Sequence, residues 1–150
     1  MKNKIALILI LVFAVMQTFT PEKIEEEVNP NIDFLQNTKI SDGLAIQIKN
    51  TCYDCHSNKP AYPWYSRIAP VSFWIHDHVE EGREHLNFSE WGNYSADKKA
   101  HKLEECYEEI EEDEMPLYSY TIMHGDAQFS DEEKEELIAF FKAQEEMYRN

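Results

Sequence analysis

The chain is predicted to fold as an all-α domain. Apolar residues recur at helical spacing in several separate stretches, and no stretch alternates apolar and polar residues as a half-buried strand would. The acidic runs at 104–114 and 131–136 are interrupted by periodic apolar positions, so they read as solvated helix faces. Residues 32–150 suffice for one modest core and are too few for two domains. The formal net charge of −15 would repel phosphate backbones, which excludes nucleic acid as a partner.

Lys2 and Lys4 precede an unbroken apolar run from Ile5 to Met16, so residues 1–20 read as a signal peptide or a short membrane anchor. The run is brief against the about 20 apolar residues that a spanning helix needs. Thr18-Phe19-Thr20 before Pro21 is a poor cleavage site, which leaves removal open, and no cysteine near the end could carry a lipid. Residues 21–31, polar and acidic with two prolines, suit a linker, and the domain is expected to begin at Ile32. Ser41 can cap a short helix with Leu44, Ala45 and Ile48 on one face, running into Cys52. Pro60, Pro63 and Pro70 with Tyr62, Trp64 and Tyr65 make 57–70 an irregular aromatic loop. Pro70 fits the start of a helix whose Val71, Trp74, Ile75, His78 and Val79 share one face, with Gly82 loosening its end. Residues 87–95 are turn-rich around Phe88 and Trp91. Ala100, Leu103, Tyr107 and Ile110 then mark an acidic helix that stops before Pro116. Ser130 and Glu133 form a capping box opening the last helix, with Leu137, Phe140, Phe141 and Tyr148 as its apolar side.

Chemistry concentrates in Cys52-Tyr53-Asp54-Cys55-His56. With two residues between them, the thiols can reach the two vinyl groups along one edge of a porphyrin, and His56 then falls beneath the iron as proximal ligand. The alternatives are weaker. Structural zinc needs two further ligands at similar spacing, and Cys106 is solitary; a thioredoxin-like dithiol needs a preceding buried strand that the sequence lacks. An exported chain suits covalent haem attachment, and in so small a domain the one haem c, bound through Cys52 and Cys55, would form part of the core.

Met115 is the leading candidate for the second axial ligand. Pro116 ends the acidic helix and sets the preceding residue in extended backbone, from which a thioether can project into a cavity. His78, on the apolar face beside Trp74, and His124, before Gly125, are the alternative distal ligands. Arg67 could pair a haem propionate or be simply exposed, and Trp64, Tyr65, Trp74 and Trp91 could wall the porphyrin or pack without touching it. Cys106 reads as a buried, inert thiol, His76, His85 and His101 as surface residues, and Met123 and Met147 as packing.

The stretches Cys52-Tyr-Asp-Cys-His-Ser-Asn58, Tyr62-Pro-Trp-Tyr-Ser66, Ile68-Ala-Pro70, Asp77-His-Val79, Glu81-Gly-Arg83, Leu86-Asn-Phe-Ser-Glu-Trp91, Glu114-Met-Pro-Leu117 and Ser119-Tyr-Thr121 together resemble the small haem-binding domain proteins of bacteria, over about residues 40–148. The order of parts also resembles class I cytochromes c, with an extra aromatic-rich loop and helix between Tyr62 and Trp91. That resemblance implies a cytochrome c-like domain in which the first and last helices cross and His56 and Met115 face each other across the iron. The function expected is monohaem electron transfer in the periplasm by a monomer, soluble or tethered through its N-terminal segment, with a redox partner of basic surface. A gas sensor or a peroxidase-like protein with an open distal site is the alternative.

Overall fold

The computed structural model describes residues 2–149, and among these every regular element is helical. The helices are α1 (Lys2–Met16), α2 (Phe34–Asn37), α3 (Asp42–Thr51), α4 (Val71–His85), α5 (Ala96–Glu111), α6 (Tyr118–Thr121) and α7 (Asp131–Arg149). Short 3-10 turns at Trp64–Arg67, Phe88–Asn93 and Gly125–Ala127 join them. The all-α expectation is met.

Local chemistry sets the helix starts. The Ser41 hydroxyl accepts from the Leu44 N–H at 3.3 Å, and that of Ser95 accepts from Lys98 at 3.3 Å to open α5. At α7 the capping box closes in both directions: Glu133 donates its N–H to the Ser130 hydroxyl, and the Glu133 carboxylate accepts from the Ser130 N–H at 2.8 Å.

The core gathers Phe34, Ile48, Leu86, Phe88, Trp91, Leu103, Ile110, Leu137 and Phe141. Phe34 and Trp91 meet edge to face at 5.0 Å, and Tyr53 stacks on Phe88 at 5.3 Å. The main partner of α7 is α5, and Glu133 at the start of α7 also hydrogen-bonds the Gln47 side chain of α3. Length decides this: α5 offers a long stripe of Ala100, Leu103 and Ile110, whereas α3 is short and ends in the Cys-x-x-Cys-His turn.

Two expectations for α4 do not hold. Gly82 lies inside the helix, which continues to His85. Val71 and Trp74 are exposed while Ser72 and Val79 are buried, so the packed face is rotated from the one read in the sequence. The stretch 21–31 is docked rather than free. Glu26 donates its N–H to the Asn58 carbonyl at 2.8 Å, and the Tyr62 hydroxyl meets both Ile24 backbone groups.

Gly92 is sterically obligatory. A Cβ there would lie 2.6 Å from the Ile32 Cβ and 2.9 Å from its Cα, because the Gly92 N–H donates to the Ile32 carbonyl at 2.7 Å. Gly92→Ala is therefore expected to destabilise the domain by about 1–3 kcal/mol in urea unfolding, as overpacking against backbone does.

Candidate functional site

A cavity of about 520 Å³ opens between the end of α3, the face of α4 and the α5–α6 connection. It falls within the range of about 300–1,000 Å³ that small-molecule and cofactor sites occupy. Leu86, Phe88, Ile110, Phe129 and Phe141 give it apolar walls that are continuous with the core.

Cys52, Cys55 and His56 line one side. The last turn of α3 carries them there: Cys52 donates its N–H to the Ile48 carbonyl at 2.9 Å, and His56 donates to that of Cys52 at 2.8 Å. Burial pushes the Cys52 thiol up to about 12, helped by Cys55 and Asp54, and burial with Asp54 lifts Cys55 to about 11. Both sulfurs therefore stay protonated at neutral pH.

The His56 imidazole is held by α4. Its Nδ1 contacts the Gly82 carbonyl at 2.7 Å and the Leu86 carbonyl at 3.1 Å. Carbonyls only accept, so Nδ1 carries the proton and Nε2 keeps its lone pair, the arrangement of an imidazole oriented to bind a metal. Burial lowers its proton affinity and favours the neutral ring. A Cβ at Gly82 would lie in ordinary contact with the His56 Cε1 at 3.4 Å and the Cys55 Cβ at 3.5 Å, so α4 packs closely against the motif here.

Behind the motif, Asn58 is a buried hydrogen-bond hub. Its amide donates to the Glu27 carbonyl and the Glu90 carboxylate, and its oxygen accepts from Asn87 at 2.7 Å and Arg83 at 3.1 Å. The Phe88 N–H donates to the His56 carbonyl at 2.9 Å, so the backbone on both sides of the imidazole is pinned. Asp54 accepts from the Tyr120 hydroxyl at 2.6 Å, tying the motif to α6.

Met115 also lines the cavity, together with Pro116 and Leu117. The Glu114 and Met115 N–H groups both donate to the Glu109 carbonyl, at 2.9 and 3.0 Å, and Asp113 takes a left-handed φ of 60°, so the chain turns back at the end of α5. His78 also lines the cavity. Its Nδ1 donates to the Trp74 carbonyl at 2.8 Å.

Other sequence candidates lie elsewhere. His124 is absent from the cavity lining, and both its nitrogens are engaged: Nδ1 donates to the Tyr120 carbonyl at 3.0 Å and Nε2 accepts from the Tyr65 hydroxyl at 3.2 Å. Trp64 is 74% exposed and Trp74 44%, Tyr65 is occupied with His124, and Arg67 faces a different pocket; none of the four lines this cavity. Trp91 is core. The cavity gains instead Lys102, Glu105, Cys106 and Glu109 from α5, Glu81 and His85 from α4, and Tyr120. His85, read as a surface residue, is thus exposed at its mouth. Periodicity could not reveal these, because they belong to helices far apart in sequence.

The residues fit a haem: apolar walls, an imidazole with its Nδ1 proton fixed, a thioether in the lining, and two neutral thiols next to the imidazole. The chain matches the family model described as haem-binding domain over residues 11–143. No curated protein and no solved structure matches the chain. Since that match spans nearly the whole sequence and the cavity carries a donor set suited to haem iron, the chain belongs to the haem-binding domain family.

Proposed function

We propose that the protein is a monohaem c-type cytochrome that transfers electrons in the periplasm, with haem joined to Cys52 and Cys55 and its iron held by His56 and Met115. The haem supplies a ferric–ferrous couple, and the protein's part is to fill both axial positions so that no substrate reaches the metal. The observation that carries this reading is the His56 tautomer, fixed by the Gly82 and Leu86 carbonyls with Nε2 left free.

Met115 is favoured over His78 by position. His78 stands one turn before Gly82 on the helix that already clamps His56, whereas Met115 would reach the group from a separate element, the turn after α5. Thioether ligation would also raise the reduction potential relative to a second imidazole. Glu81, Glu105 and Glu109 at the cavity support a redox partner of basic surface, steered at low salt. Export rests on Lys2, Lys4 and the apolar α1; among the described residues no helix is long and apolar enough to cross a membrane.

The visible and near-infrared spectra test this. The oxidised protein is expected to be low-spin with the weak near-infrared band of methionine-ligated ferric haem, and Met115→Ala to abolish that band. A high-spin spectrum with rapid carbon monoxide binding would support the second reading, a sensor or peroxidase-like protein, for which His78 on the cavity wall is the available acid or base.

A further inference from the structure

We propose that a second pocket, at the seam between residues 17–23 and the start of α4, binds a phosphate-bearing anion. It encloses about 430 Å³, and none of its lining residues lines the haem cavity. The proposal is therefore independent of the haem chemistry.

Three observations carry it. Arg67 lines this pocket and is the one arginine among the described residues with no carboxylate partner: Arg83 pairs with Glu26, and Arg149 with Glu104 and Glu145. Arg67 is exposed, so in a chain with 29 acidic residues its guanidinium stays free to meet an anion that enters the pocket from solvent. Ser72, 2% exposed, has a buried hydroxyl without a hydrogen-bond partner, and the buried Nδ1 of His76, one turn further along the same face of α4, has none either. Buried polar groups left unpaired in this way are destabilising, and a ligand that supplies their partner relieves that cost. Lys23 adds a second cation against the single carboxylate of Glu22, although its ammonium also lies 3.6 Å from Glu25.

Two cations, a hydroxyl and the first turn of α4 favour a multiply charged oxyanion, and a guanidinium fork matches phosphate oxygens in pairs. The pocket exceeds a bare ion, which leaves room for the organic part of a phosphate ester. Gln17 closes the seam, its side chain bonding the Ala69 carbonyl at 3.1 Å and N–H at 3.0 Å. Because Gln17 directly follows the apolar α1, the phosphate could belong either to a free ester or to a phospholipid headgroup.

The test uses the purified full-length chain in two arms: calorimetric titration with glycerol 3-phosphate, and flotation with phosphatidylglycerol vesicles. Arg67→Gln is expected to weaken binding by about tenfold or more in one arm, from loss of a charge-assisted pair. Weakened titration assigns a free ester, and weakened flotation alone assigns a headgroup. Ser72→Ala removes an unpartnered hydroxyl, leaves the fold intact, and should weaken the same arm by about fivefold. Binding in both arms that neither substitution alters, or no binding in either, overturns the proposal.

Discussion

In the Cys52→Ala/Cys55→Ala variant, haem is expected to come away completely in acidified acetone, whereas from the unaltered exported protein it should not. The denatured mass of the unaltered protein should exceed its polypeptide by one haem, and that of the variant should not. Each single substitution should leave one bond and an intermediate resistance. The reason is where the thiols lie: both line the cavity on the His56 side, neutral and beside the position an axial imidazole defines. Without them the cofactor is held only by reversible iron bonds and apolar contact. Stability should fall as well, because Leu86, Phe88, Ile110 and Phe141 belong at once to the core and to the cavity wall. A cofactor that completes the core stabilises by binding the folded state alone. Loss of about 4 kcal/mol, lowering the thermal midpoint by about 15 °C, is the expected scale for the haem-free chain. Haem that survives extraction from the double variant would refute attachment at these thiols.

The second large effect is expected at Asn58, which touches no cofactor. Asn58→Ala removes the group that satisfies Asn87, Arg83, Glu90 and the Glu27 carbonyl together, at a position 1% exposed. With buried Asn87 left without its acceptor, the loss should reach about 3 kcal/mol in denaturant unfolding. A double-mutant cycle with Asn87→Ala should show strong coupling, because the two amides bond directly. The loop after His56 is fixed by this hub, so the variant should also broaden the spectrum of the axial ligand field. Additive energies in that cycle would show that the hub is less cooperative than its geometry implies.

Much was legible in the chain itself. Ser41, Ser130 and Glu133 announced helix starts that depend on neighbours three residues away, and the apolar period of Leu103, Tyr107 and Ile110 gave α5. The Cys-x-x-Cys-His turn is likewise local, and so is the placement of Met115 just after a helix end.

What only the tertiary structure decided is which distant groups meet. Arg67, Trp64 and Tyr65 lie close in sequence to the Cys-x-x-Cys-His turn, yet Arg67 lines another pocket, Trp64 is exposed, and Tyr65 and Tyr120 engage the nitrogens of His124. The carbonyls that orient His56 come from α4 and the residue just after it, and backbone acceptors leave no mark on residue type. Local signals are written by hydrogen bonds and periodicity within a turn or two. The cavity is written by packing between α3, α4 and α5, which side-chain volume and buried polar satisfaction decide together.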